Sequence, residues 1–117
     1  MKFIVNGGRR LDGEIQVLGS KNAALPILAA TLLTTRPCTL KNMPLIEDVF
    51  TMLDILKSMG SEVLWLEERT VRIVNKDIDP RKIDNSSVEK IRASILFVGP
   101  LLARFGYVRI ATPGGCL

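Results

Sequence analysis

The stretch "SKNAALPILAATLLT", residues 20–34, determines the fold expected for this chain. Lys21 and Asn22 are polar, and from Ala23 to Leu33 apolar side chains occupy nearly every face of a helix. A helix that is apolar all round is typical of a buried position. We therefore predict a helix over about residues 22–34 that is buried on all sides.

Pro26 limits where this helix can begin, because proline is tolerated in the first turn but costs about 3 kcal/mol in a helix interior. Asn22 is a good N-cap residue, and a start there leaves Pro26 in or beside the first turn. The first turn of a helix offers unpaired N–H groups and a positive dipole end, which favour an anion. Lys21 and Asn22 therefore either bind a phosphate or carboxylate or are a solvated lysine beside an ordinary cap.

Hydrophobic periodicity predicts the other elements and their order. A helix over 46–59 is amphipathic, with Gly60 placed to end it. A longer helix over about 87–104 is expected to kink at Gly99–Pro100. Strands are predicted at 2–6, 14–18, 37–43 and 107–111, with a hairpin over 62–75. This order indicates an α/β (α+β) fold.

The composition excludes several classes of site. The 117 residues make one domain or less, and the 16 basic residues are dispersed among 12 acidic ones. Dispersed charge and few aromatic side chains argue against nucleic-acid binding. Histidine is absent, which excludes Ser-His and Cys-His nucleophile pairs and histidine zinc sites. The two cysteines, Cys38 and Cys116, have no metal-ligand spacing, so no metal is expected.

The N-terminus does not have the pattern of a signal peptide, and the longest apolar run, Ala23 to Leu33, is too short to span a bilayer. We predict a cytoplasmic protein that does not bind a membrane. A reducing compartment also fits the low cysteine count. Cys38, in a predicted strand, is expected to be a small buried side chain.

Two further residues carry candidate chemistry. Cys116 follows Pro113, Gly114 and Gly115, and such a loop lets a ligand approach closely. Near neutral pH an exposed thiol is mostly protonated, so Cys116 is either a proton donor or nucleophile, or an idle loop cysteine. Arg92 either clamps a diphosphate bidentately or is a surface arginine on an apolar helix.

Three segments together resemble the UDP-N-acetylglucosamine 1-carboxyvinyltransferases, a family of enolpyruvyl transferases. They are "LGSKNAALPILAATLLT" (18–34), "KIRASILFVGPLLARFG" (90–106) and "ATPGGC" (111–116). The similarity runs over the whole chain. A sister family that acts on shikimate 3-phosphate shares the architecture but does not usually carry the cysteine of the PGGC loop.

The resemblance implies transfer of the enolpyruvyl group of phosphoenolpyruvate to the 3-hydroxyl of UDP-N-acetylglucosamine, with release of phosphate. This is the first committed step of peptidoglycan precursor synthesis. By the same resemblance, Lys21 and Asn22 bind phosphoenolpyruvate and Arg92 binds UDP-N-acetylglucosamine. The resemblance also implies that Cys116 is the catalytic proton donor and the target of fosfomycin. No cofactor or metal is implied. Leu96 departs from the family, because many members carry an aromatic residue there.

The implied fold consists of repeated βαβαββ units in two domains and is incomplete here. Residues 1–20 are expected to supply strands to the second domain, and 21–117 to form a truncated first domain. Other arginines and an aspartate base lie further along the family's chains, so we expect this chain to be inactive alone. Unpaired strand edges and an exposed apolar helix face predict self-association. The alternatives are a small phosphosugar-binding module without catalysis and a purely structural fragment.

Overall fold

A computed structural model describes residues 1–115, in which helices pack on one face of a small antiparallel sheet. The strands are β1 (Cys38–Leu40), β2 (Glu62–Glu67) and β3 (Thr70–Val74). The α-helices are α1 (Lys21–Ala30), α2 (Glu47–Ser58), α3 (Asn85–Val88) and α4 (Val98–Phe105). Short 3₁₀ helices cover Thr31–Leu33, Pro80–Lys82 and Arg92–Phe97. This mixed architecture confirms the predicted fold class.

Helix α2 lies where its pattern predicts. Ile46 is its N-cap, and Glu47 and Asp48 place negative charge in the first turn. There the charge interacts favourably with the positive end of the helix dipole. Gly60 follows the C-cap with φ +107° and donates its N–H to the Lys57 carbonyl at 2.9 Å. That left-handed conformation suits glycine and ends the helix.

The three strands form one sheet in the order β1-β3-β2, with both pairs antiparallel. Cys38 pairs with Ile73 in the first ladder, and Glu62 pairs with Val74 in the second. The hairpin predicted at 62–75 is therefore confirmed. The strand predicted at 37–43 is shorter than expected, and Cys38 on this edge strand is only half-buried.

Helix α1 begins earlier than predicted. Ser20, not Asn22, is the N-cap, with an extended backbone and no side-chain capping bond. Lys21 and Asn22 are the first two helical residues, and Pro26 lies inside the helix. Proline has no N–H for the carbonyl four residues earlier, so the Asn22 carbonyl loses that intrahelical partner.

The predicted burial of α1 on all sides is wrong in this chain. Leu25 and Leu28 on its inner face are buried in the core against α2. Its opposite face is exposed because none of the described residues packs against it. That face consists of Ala23, Pro26, Ile27 and Ala30, and Leu33 in the following 3₁₀ helix is exposed as well.

Residues 1–18 are exposed throughout, and the strands predicted at 2–6 and 14–18 are not formed within residues 1–115. A strand needs a hydrogen-bonded partner, and no described segment pairs with these residues. The arm they make extends the molecule to 58 Å, and the radius of gyration is 17.4 Å, against about 13 Å for a compact chain of this length.

The single helix predicted over 87–104 is also wrong. Helix α3 ends at Val88, and the 3₁₀ helix starting at Arg92 precedes α4. The fully buried Ser94 explains the break: its hydroxyl reaches the carbonyls of Val88 at 2.8 Å and Ile91 at 2.7 Å. These bonds tie the start of the 3₁₀ helix to the end of α3.

No kink occurs at Gly99–Pro100, because Pro100 lies in the first turn of α4, where proline is tolerated. The strand predicted at 107–111 is not formed in the described part of the chain. Instead this segment runs beside α3. The Ala111 N–H donates to the Asn85 side-chain oxygen at 2.8 Å, which replaces a sheet ladder as its anchor.

A buried polar network joins the 3₁₀ helix after α1 to the end of the sheet. Asn75, 1% exposed, donates from its amide nitrogen to the Thr31 hydroxyl at 2.9 Å and accepts from the Ser61 hydroxyl at 2.5 Å. Arg104 of α4 donates to the carbonyls of Leu32 and Lys76, each at 3.1 Å. These bonds fix the carboxyl end of α1 and so help to fix the direction of the helix.

Candidate anion-binding cleft

The loop before α1 is held by Asn42. The Gly19 N–H donates to the Asn42 side-chain oxygen at 3.2 Å, and the Asn42 amide donates to the Val17 carbonyl at 3.4 Å. A Cβ at Gly19 would overlap the Asn42 carbonyl oxygen, so only glycine allows this approach. The start of α1 is thereby fixed against the loop that follows β1.

Lys21 and Asn22 lie in the first turn of α1, whose initial N–H groups have no partner within the helix. The Lys21 ammonium lies 3.4 Å from the Asp48 carboxylate, at the start of α2. The Lys21 side chain is 54% exposed and that of Asp48 34%. The amino ends of α1 and α2 therefore meet at this point, and both dipoles favour an anion there.

Arg92 reaches the same place from the other side. It is the first residue of the 3₁₀ helix that the Ser94 hydroxyl ties to the end of α3. Arg92 lines the cleft, and within residues 1–115 its guanidinium makes no hydrogen bond or ion pair with another residue. Five N–H donors in a planar fork suit a bidentate phosphate or carboxylate contact.

Pro113 to Gly115 bring the chain to Arg92. The Gly114 N–H donates to the Val88 carbonyl at 3.3 Å, and a Cβ at Gly114 would overlap the Glu89 carbonyl oxygen. Gly115 has φ +153°, and a Cβ there would lie 3.1 Å from the Arg92 Nε. The predicted catalytic residue Cys116 lies outside the described residues.

Two adjoining cavities form the cleft. The larger, of about 440 Å³, lies within the range typical of small-molecule sites, and the smaller is about 340 Å³. Asp48 and Arg92 line both. The larger is also lined by Lys21, Asn22, Leu25, Pro26, Ala93, Ile95 and Leu96, and the smaller by Lys90, Ile91 and Gly115.

The charge of the cleft is positive: Lys21, Lys90 and Arg92 against Asp48. The three binding residues predicted from the sequence and described by the structure, Lys21, Asn22 and Arg92, thus line one cavity. Leu96, the departure from the family pattern, lines it too. Such a surface can hold a small molecule with two or more anionic groups.

Asp48 is the site residue that the sequence analysis missed. In "IEDVF" its only signal is that of an acidic first turn, which many helices carry. Its position beside Lys21 depends on how α1 packs against α2. Sequence spacing does not report that packing.

Asp84 is the N-cap of α3, in the segment that leads to Arg92. The hydroxyls of Ser87 and Ser86 donate to its carboxylate, and these bonds hold the pKa of Asp84 below its usual range. Likewise, hydrogen bonds from Arg81 hold the pKa of Asp79 below its usual range. Both carboxylates anchor the segment that leads to Arg92 and lie outside the lining of the two cavities.

Residues 1–115 contain no cluster of three or more potential metal ligands and no helix long and apolar enough to cross a membrane.

Comparison with known proteins shows the family of the chain. Residues 5–117 match the family described as EPSP synthase (3-phosphoshikimate 1-carboxyvinyltransferase).

Among solved structures, the chain is similar to the crystal structure of the enolpyruvyl transferase NikO from Streptomyces tendae. The TM-score is 0.70 at 23% sequence identity, over 86% of this chain and 23% of the other. This chain thus spans about a quarter of that protein, and the likeness at this identity concerns the fold. The family match covers nearly the whole sequence, and the chain therefore belongs to the EPSP synthase family of enolpyruvyl transferases.

Proposed function

We propose that the cleft binds phosphoenolpyruvate and the diphosphate-sugar UDP-N-acetylglucosamine, as part of an enolpyruvyl transferase active site. The observation that carries the proposal is the convergence of Lys21, Asn22 and Arg92, from two separate elements, on one cavity of about 440 Å³. Membership of the EPSP synthase family supports phosphoenolpyruvate as one substrate.

Each residue then has a definite role. Lys21 and the amino end of α1 neutralise the phosphate and carboxylate of phosphoenolpyruvate, and the Asn22 amide orients it. Arg92 makes bidentate contacts with the UDP-sugar. The 3-hydroxyl of the sugar gives its proton to a base that lies beyond this chain, and its oxygen bonds to C2 of phosphoenolpyruvate while C3 receives a proton. Phosphate then leaves from C2 and C3 loses a proton, which restores the enol double bond in the product. Cys116 supplies the proton that C3 receives, and it follows Gly115, whose backbone lies against Arg92.

The choice of the UDP-sugar over shikimate 3-phosphate rests on the PGGC sequence at 113–116. The sister family acting on shikimate 3-phosphate does not usually carry this cysteine. On the same proposal, the reaction is the first committed step of peptidoglycan precursor synthesis, and fosfomycin alkylates Cys116.

Residues 1–20 are proposed to pair with a second domain. Their exposed apolar side chains alternate as in strands, and Phe3 and Val5 are each more than 80% exposed. The full reaction would then need groups beyond this chain, and we expect binding without turnover from these 117 residues alone.

Residue-resolved NMR titration tests the binding roles separately. Phosphoenolpyruvate should shift the amide signals of Lys21 and Asn22, and UDP-N-acetylglucosamine should shift those around Arg92. Lys21→Ala should weaken the first ligand at least tenfold and Arg92→Ala the second. The matched control is Lys57→Ala, which removes an exposed lysine that is also ion-paired at 3.4 Å but lies outside the cleft. Equal weakening by Lys57→Ala would show that only total charge matters.

Fosfomycin tests the role of Cys116. Intact-mass spectrometry should find one adduct per chain, absent from Cys116→Ser and present in Cys38→Ser. Tighter binding of shikimate 3-phosphate than of UDP-N-acetylglucosamine would instead assign the chain to the sister activity. Binding of both ligands without any adduct would favour the phosphosugar-binding module without catalysis.

A further inference from the structure

The ion pair between Lys21 and Asp48 occupies the position where an anionic ligand would contact Lys21. Among the described residues that line the two cavities, Asp48 is the single acidic side chain. Its Oδ2 lies 3.4 Å from the Lys21 ammonium, and it lines both cavities together with Arg92. A carboxylate is therefore already present among the cations of the cleft.

We propose that Asp48 is the resident counter-ion of Lys21, which an incoming phosphate or carboxylate group displaces, so that Asp48 sets the anion affinity of the cleft. This inference deepens the proposed function and concerns the same site. Asp48 is a positioning residue, because it acts on the ligand through Lys21.

The geometry allows the exchange without leaving a buried, unpaired charge. Asp48 belongs to the first turn of α2, so the helix dipole continues to stabilise its carboxylate after Lys21 moves to the ligand. Both side chains are partly exposed, so water can solvate whichever group is released. The long, flexible Lys21 stem can turn from one anion to the other without a backbone movement.

The size of the effect follows from the exposure of the pair. Partly exposed ion pairs are weak. Removing the Asp48 carboxylate, which competes with the ligand for Lys21, improves ligand affinity by up to about fivefold. Removing a negative charge several ångströms from a phosphate adds a smaller electrostatic gain. Asp48→Asn should therefore tighten binding of inorganic phosphate about three- to tenfold. Because these are screened interactions, the gain should shrink as the salt concentration rises.

The same helix supplies a matched control. Asp54 pairs with Lys57 at 3.4 Å on α2, at the same ion-pair distance as Asp48 and Lys21, and neither residue lines the cleft. Asp54→Asn makes the same change in net charge. It should leave the phosphate affinity within about twofold of the original protein, because the charge lost is remote from the cleft.

The experiment is an NMR titration of the 117-residue chain with inorganic phosphate and, separately, with phosphoenolpyruvate. The Lys21 and Asn22 amides report binding, and the dispersion of the spectrum reports folding of each variant. Asp48→Glu keeps the negative charge, so its phosphate affinity should equal the weaker affinity of the original protein. In the Lys21→Gln background, Asp48→Asn should gain twofold or less, because the competing partner is gone.

Tighter phosphate binding in Asp48→Asn that is lost in the Lys21→Gln background supports the inference. Unchanged or weaker binding in a folded Asp48→Asn protein overturns it, even if phosphoenolpyruvate binds the original chain and the proposed function stands. An Asp48-dependent gain for phosphate without any phosphoenolpyruvate binding supports the inference and retires the proposed function. Phosphate binding by none of these proteins overturns the inference.

Discussion

Replacing Asn75 with alanine should destabilise the fold strongly, because Asn75 bridges two parts of the core. Its amide donates to Thr31 at 2.9 Å and its oxygen accepts from Ser61 at 2.5 Å. The side chain is 1% exposed, so water cannot take over these roles. The substitution therefore removes two buried hydrogen bonds at once.

The magnitude follows from what each partner loses. Each buried hydrogen bond contributes about 1 kcal/mol, and a buried polar group left unpaired costs about 1–3 kcal/mol. Thr31 keeps its own donor bond to the Leu28 carbonyl at 2.7 Å, so the Ser61 hydroxyl is the group left without an acceptor. The free energy of unfolding should fall by about 2–4 kcal/mol, a large part of the stability of a small domain.

Urea unfolding followed by circular dichroism measures this loss as a lower midpoint at constant m value. Asn6→Ala is the matched control, since Asn6 lies in the exposed arm, and its effect should stay within about 0.5 kcal/mol. The double variant Ser61→Ala/Asn75→Ala should fall short of additivity by about 1 kcal/mol, because both changes break one bond. A loss below 1 kcal/mol for Asn75→Ala, or strict additivity, would refute the reasoning.

Three further outcomes are expected. Gly114→Ala should increase amide hydrogen exchange over residues 111–115, because its Cβ would overlap the Glu89 carbonyl oxygen. The control Gly7→Ala places its Cβ in open space and should leave the exchange unchanged. Unaltered exchange in Gly114→Ala would contradict the tight contact. Gly99→Ala, in open space on α4, should raise the unfolding free energy by up to about 1 kcal/mol, and a loss in urea unfolding would contradict the helical assignment. The lowered pKa of Asp84 contributes stability that is complete above its unfolded pKa, near 3.9, and is lost as the pH falls through its folded value. In Asp84→Asn the free energy of unfolding should therefore depend less on pH below about pH 4. If its pH dependence in that range is the same as in the original protein, the serine contacts do not lower the pKa of Asp84.

The candidate site could be predicted in part. The polar pair before the apolar helix marks Lys21 and Asn22, and the isolated Arg92 stands out in an apolar segment. That these residues share a cavity depends on the packing of α1 against the 3₁₀ helix that begins at Arg92. Asp48 could not be found from its sequence context, because an acidic residue in a first turn is common.

The sequence by itself determined the elements whose energetics are local. Helix α2 follows from its amphipathic pattern and its terminal Gly60, and the β2–β3 hairpin from two alternating runs joined by a short turn. In both, the backbone hydrogen bonds that define the element join residues at most twelve apart along the chain, so the local pattern is enough to predict the element.

Only the tertiary structure decided the rest, because the deciding contacts join distant residues. The arm at 1–18 has strand-like alternation but no partner among the described residues, and a strand exists only with one. The helix predicted over 87–104 breaks because a buried serine hydroxyl binds the carbonyls of Val88 and Ile91. The cleft itself arises where the amino ends of α1 and α2 meet Arg92, and that meeting is a property of packing, which no local pattern in the sequence encodes.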